Sequence, residues 1–422
     1  MRSARHRVTF AARALAIAAC GLGGPAGAQV AVDLEATANV GQVLTTPENT
    51  MTSRVDAHPA VTLNFGSPRL MWRARYLFSG SYPLQGEGAI SYANELSLSL
   101  ASTPTTRTSL NLTGGASQGS TIARVSQRPA QTGEPALRAP GNPAQVTGSL
   151  NEAFSWEAAP GINLGQTLGV QASAPQDTLD RRSWTLSGSL SFDRPYPRDA
   201  VGGTYSARYA ELRPVVAEPP PRVEVMAHSA QATWNRDFDQ RWNGFLTAGV
   251  EAVSLLGGGT NLAYHPTGSF TLRYLAGKLT GGLSYTHGAA ANLEEGTMGL
   301  SDVVLARGGW TFQDLPLRQL NASLGFLRSR PLRAAGAAST EGTAVNADVG
   351  LAWGLWDSWG ASVRYSLAYQ LARPGNEASA IHVFDVGISW RSNPSPQGAI
   401  PSAGGRVDGG DGAVFPGEAP NR

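Results

Sequence analysis

Asp56 and His58 are the residues whose types and spacing come nearest to covalent chemistry. Two positions apart on one face of an extended strand, a carboxylate can orient an imidazole for general-base work on a hydroxyl. Serines recur along the whole chain, so the pair selects no nucleophile, and no enzyme is expected from it. His228, His265, His287 and His382 lack the spacing of a shared metal site. Each is expected at the surface or at an interfacial girdle, with no metal and no cofactor. The single cysteine, Cys20, lies in an N-terminal stretch that reads as a leader, so neither a disulfide nor a thiolate nucleophile is expected in the mature chain.

What remains are charges set singly among apolar neighbours. Asp33, Glu35, Asp56, Glu95, Asp348 and Asp385 stand against Arg73, Arg75, Arg107, Arg273 and Arg364. Each falls on the polar side of an alternating segment. Charges in a dry interior are very unfavourable, so this many inward charges imply a water-filled interior. No ring of one sign is apparent, which argues against strong ion selectivity.

The elements that carry these residues are strands. From Val345 to Trp353 the residues Val345, Ala347, Val349, Leu351 and Trp353 alternate with small or polar ones. After a turn at Trp356-Asp357-Ser358-Trp359, the residues Val363, Tyr365, Leu367, Tyr369 and Leu371 do the same. A period of two means strand. Each arm holds about ten alternating residues, the length of a tilted strand crossing a bilayer. The pattern returns along the chain, from Val30–Ala36 and Val55–Phe65 through Leu70–Phe78 and Ile90–Leu100 to His382–Ser392. About eighteen arms are predicted, with about sixteen as the alternative count.

Links between arms alternate in length. Short ones such as Gly66-Ser67-Pro68, Pro160-Gly161 and Gly277-Lys278 alternate with longer ones at 119–145, Pro214–Pro221, Gly257–Pro266, Ala289–Met298 and Arg330–Gly342. Trp156, Trp234, Trp242, Trp310, Trp353, Trp356, Trp359 and Trp390 fall at the short-turn ends, as an aromatic girdle at a membrane–water interface requires.

Composition agrees with this reading. Only 15% of the 422 residues are charged, 50 are glycine, and the net charge is +2, which gives no reason to expect nucleic acid. No apolar run is long enough for a membrane-spanning helix. Arg2, Arg5, Arg7 and Arg13, the apolar Ala14–Gly24 and Ala26-Gly27-Ala28 read as a cleaved signal peptide over 1–28. Ile17-Ala18-Ala19-Cys20 resembles a lipoprotein lipobox, but Ala14–Ala19 is too short an apolar core for it. Residues 393–422 are Gly/Pro/Ser-rich without periodicity and are expected to form a disordered periplasmic tail.

Taken together, the alternating arms, the link lengths and the tryptophans resemble the bacterial outer-membrane β-barrels of porin size. The resemblance implies an all-β fold: a single transmembrane antiparallel up-and-down barrel over 29–392, in the outer membrane, with both termini periplasmic. The last strand, with Phe384, Val386, Ile388 and Trp390 on one face and Gly387 between, resembles the C-terminal strand read by the barrel-assembly machinery. The implied function is a pore for hydrophilic solutes or polymer. The specific candidate within it is an exopolysaccharide export channel with periplasmic partners, and the alternative is a non-conducting structural or adhesive barrel acting through its outer loops. The long 119–145 link is expected to fold inward as a constriction, to lie over the mouth as a gate, or to form an unstructured surface loop.

Overall fold

In the computed structural model the described residues are 29–392, apart from 47–49, 68, 85–89, 121–143, 178–181, 214–221, 257–261, 294–296, 313–317, 333–340, 357 and 372–377. The proposed leader, the tail and most of the 119–145 link therefore lie outside the described residues.

Eighteen antiparallel strands form one sheet. In chain order they are β1 (Gln29–Thr46), β2 (Thr50–Ser67), β3 (Leu70–Pro83), β4 (Ser91–Thr105), β5 (Thr108–Ser120), β6 (Ala144–Ala159), β7 (Ile162–Pro175), β8 (Ser183–Pro195) and β9 (Asp199–Leu212). They continue as β10 (Val223–Asp237), β11 (Trp242–Leu256), β12 (Leu262–Ala276), β13 (Leu279–Asn292), β14 (Thr297–Phe312), β15 (Arg318–Pro331), β16 (Gly342–Trp356), β17 (Trp359–Gln370) and β18 (Ser379–Arg391). Each pairs with its neighbours in sequence, and β1 pairs with β18 from Glu35↔Arg391 to Thr46↔Ala380, so the sheet closes on itself and has no free edge strand. Among the described residues there is no helix.

Strand alternation sorts the residues onto two surfaces. On β1, Val30, Val32, Leu34 and Val40 are exposed on the outside while Asp33, Glu35, Thr37 and Asn39 face inward. The same holds around the ring: Leu96 and Leu98, Leu186 and Leu190, Leu324 and Phe326, and Phe384, Val386 and Ile388 form an apolar outer surface. That surface suits hydrocarbon, and ladder closure satisfies the backbone polar groups that lipid could not.

Short links gather at one rim. Two of them turn on glycines with left-handed backbone, Gly161 (φ 76°) and Gly277 (φ 52°), a conformation that favours glycine. Two expected long loops are strand in part. Residues 262–266 belong to β12, and β13 and β14 run to Asn292 and from Thr297, so the Gly257–Pro266 and Ala289–Met298 links are shorter than the sequence suggested. Pro266 made 257–266 look like loop, because proline cannot donate to a ladder. It sits in β12 opposite Val250 of β11, where its other side has no strand partner.

Candidate functional site

The inward face carries most of the charges singled out by spacing. Asp33, Glu35, Asp56, Arg73, Arg75, Glu95, Arg273, Asp348, Arg364 and Asp385 all share the inward parity of their strands. Arg107 does not. It lies in the two-residue turn after β4, exposed at the short-turn rim, because the β4–β5 hairpin closes between Thr105 and Thr108. There it borders a cleft of about 420 Å³ with Arg69, Ser109, Ser155, Glu157 and Asn163.

Two groups of charges are organised as pairs. In the first, Arg54 Nε stands 2.9 Å from Asp56 Oδ2 and its Nη2 is 3.4 Å from Asp385 Oδ1. One strand further round, Arg364 Nε is 2.6 Å from Asp348 Oδ2, which also accepts from Ser366 Oγ at 2.6 Å. Nearer the short-turn rim, Glu35 takes Arg75 on one oxygen at 3.2 Å and Arg391 on the other at 2.9 Å, while Asn64 donates to Asp33 at 3.0 Å. Arg75 reaches Glu35 across β2, past the small side chains of Ala60 and Thr62. Both signs are mixed in each of these groups.

Asp56 and His58 share a face, yet they do not face each other. Asp56 is turned to Arg54, and His58 Nδ1 is 2.6 Å from Ser79 Oγ on β3. Ser79 is only 1% exposed, so a substrate does not reach it in this arrangement. His228 and His382 meet Tyr205 (2.7 Å) and Tyr365 (2.9 Å) on the outer surface, and His287 meets Asp302 at 2.7 Å.

The tryptophans singled out by position lie at one end of the barrel. Trp156, Trp242, Trp310 and Trp359 are exposed on the outer face within a few residues of the short-turn rim, and Trp234, Trp353 and Trp390 are half-buried there. Trp356 is the last residue of β16. Trp359 pairs with Trp390 across β17 and β18, and Trp242 packs on Tyr274 with ring centroids 4.6 Å apart. Trp72, stacked on Phe65, lies at the same rim and was not among them.

Sequence reasoning also missed Arg54, Arg208, Glu251 and Arg391. Parity alone would have placed them inward. Each has a partner far along the chain, for two of them on backbone atoms, which no local pattern reveals.

An eighteen-stranded closed barrel with an apolar exterior, an aromatic rim and a charged interior defines a transmembrane β-barrel of porin size. No family model matches the chain, and no curated protein matches it. Among solved structures it resembles OpdK of Pseudomonas aeruginosa, crystallised with vanillate, at 11% identity and TM-score 0.44 over 85% of this chain and 98% of that one. It resembles OpdO of the same organism at 10% identity and TM-score 0.42, over 86% and 97%. The copper transporter OprC is similar at 11% identity and TM-score 0.42, over 87% of this chain and 69% of its own. At these values the likeness concerns the outline of the fold and says nothing about the lumen.

Proposed function

We propose that this barrel sits in the bacterial outer membrane as a pore for hydrophilic solutes, with its short turns and both termini on the periplasmic side. The carrying observation is the inside-out distribution of polarity: inward charges of both signs held in pairs, with the large apolar side chains outside. A wall of this kind is maintained by water in the lumen, and a barrel of this strand number is wide enough for an aqueous channel. The narrower expectation of exopolysaccharide export draws no support from the lumen or from the similar structures, and it is set aside. For assembly, β18 is the proposed recognition strand, since Phe384, Val386, Ile388 and Trp390 share its outer face.

The test is single-channel recording of the purified protein in a planar bilayer, with heat-modifiable migration as the check on folding. Steady conductance rising with salt is the expected result. A folded protein that passes no current and no small sugar in a liposome-swelling assay would leave the structural or adhesive reading in its place.

A further inference from the structure

At the long-loop end the wall parts between β12 and β13, while β14 stays paired with β15 as far as Gly299↔Pro331. The ladder of β13 with β12 runs from Ala276↔Leu279 only to Gly268↔His287, although β12 continues to Leu262 and β13 to Asn292. Pro266 lies two residues beyond the last rung and has no N–H to offer. Beyond that point β13 pairs only with β14, from His287↔Asp302 to Asn292↔Thr297.

Backbone groups freed from the ladder are met by side chains that face the lumen. Thr267 Oγ1 donates to the His287 carbonyl at 3.1 Å, the Ala289 N–H donates to Glu251 Oε2 at 2.8 Å, and Arg208 Nη1 donates to the Ala289 carbonyl at 2.9 Å. Arg208 is on β9, four strands from β13, which is roughly 19 Å along the wall at ordinary strand spacing. No arginine side chain covers that span, so the hairpin itself must lie inward, over the inner faces of β12 and β11. Apolar packing agrees. Ala289 and Met298 of the hairpin are buried against the inward-facing Ala210, Leu212, Val225, Ala227 and Val253 of β9, β10 and β11.

We infer that the β13–β14 hairpin is the constriction of this pore, folded into the mouth at the long-loop end and latched there by Glu251, Arg208 and Thr267. The inference rests on the pore reading. It assigns the bore to residues 288–293 and 297–300 and gives them a fixed, apolar-backed seat. A loop held by apolar packing alone could slide; three bonds to the backbone of His287 and Ala289 fix its register.

The experiment compares wild type with the double variant Glu251→Ala/Arg208→Ala, reading single-channel conductance and amide exchange over 288–293 and 297–300 on the same preparations. Loss of exchange protection together with a conductance gain of about twofold or more is expected. Glu251→Gln keeps an acceptor and is expected to stay near wild type. Lost protection with unchanged conductance overturns the constriction, and unchanged protection overturns the latch. Should the double variant fail to fold, Gly288→Val takes its place, because a Cβ there comes within 2.9 Å of Thr267 Oγ1. That variant must raise the current, and no rise overturns the inference. Absence of current from every form, wild type included, removes the pore reading and the constriction with it, even where protection still reports the latch.

Discussion

Arg54 on β2 and Asp385 on β18 join across β1 over the bare backbone of Gly41, which is the register partner of both. Their pair, with Asp56, ties together the three strands at which the barrel closes.

Removing the cation of that group leaves two carboxylates without their partner. Arg54 and Asp56 are almost wholly buried, and Asp385 nearly so. Breaking a buried pair from one side destabilises by roughly 3–5 kcal/mol. Arg54→Met is therefore expected to lower the urea midpoint of the folded, heat-modifiable form. Arg54→Met combined with Asp56→Asn and Asp385→Asn should recover part of the loss. Equal midpoints for the wild type and the single variant would mean that water already screens the pair.

Gly41 is expected to tolerate no side chain. A Cβ there runs into Asp385 Oδ1 and comes within 2.7 Å of the Phe384 carbonyl oxygen, whereas one at Gly354 meets nothing within 4 Å. Overpacking of this kind costs about 1–3 kcal/mol or more where backbone is the obstacle. Gly41→Val should reduce the yield of the heat-modifiable form, and Gly354→Ala should not.

Much of this was legible in the sequence because a closed membrane barrel writes its rule locally. Side chains alternate between lipid and lumen, and turns alternate in length, so Leu70–Phe78 or Val363–Tyr369 announces a strand without knowledge of its partner. The misses are non-local. Residues 38–46 of β1 lay beyond the expected first arm, since Gln42 breaks the apolar outer row. Pro266 argued for a loop, and it is strand because β13 departs just where the missing N–H would have been needed. The 119–145 link, the longest polar one, lies largely outside the described residues. The observed inward element depends on Glu251 and Arg208 meeting the backbone of Ala289, a relation between strands that no spacing encodes.

Charge in the wall predicts weak selectivity that can be tilted. Asp348 and Asp385 face Arg364 from neighbouring strands: Asp348 is its ion-pair partner and Asp385 its register partner. With both signs present at one level, the reversal potential in a salt gradient should lie near zero. Asp348→Asn with Asp385→Asn leaves Arg54 and Arg364 in excess, and the potential should move towards anion preference. A shift towards cations would place the permeation path away from these residues.

The girdle can be located by spectroscopy. Most of the tryptophans gather at the short-turn rim, with Trp184 near the other end on β8. Brominated lipids should therefore quench most of the emission when the bromine lies near the headgroups and less when it lies at the bilayer centre. Trp359→Phe and Trp390→Phe should each reduce the quenchable emission. Equal quenching at every depth would contradict a single rim.

Glu152 breaks the outer pattern and gives the most discriminating prediction. On β6 it shares the outward parity of Leu150, Phe154 and Trp156, all exposed to the outside, and it stands between Leu112 of β5 and Leu168 of β7 near the middle of the strand. A carboxylate at that depth opposes insertion, less severely than a lysine or arginine, whose cost at the midplane is about 2–4 kcal/mol. If lipid alone covers this face, Glu152→Leu should stabilise the barrel in bilayers by about 1–2 kcal/mol, read from urea unfolding in vesicles. It should do much less in detergent, where the carboxylate reaches water more easily. Destabilisation by the same change would mean that Glu152 meets a hydrogen-bond donor within the membrane, and the outer face of β5–β7 would then be a contact surface and not lipid-facing wall.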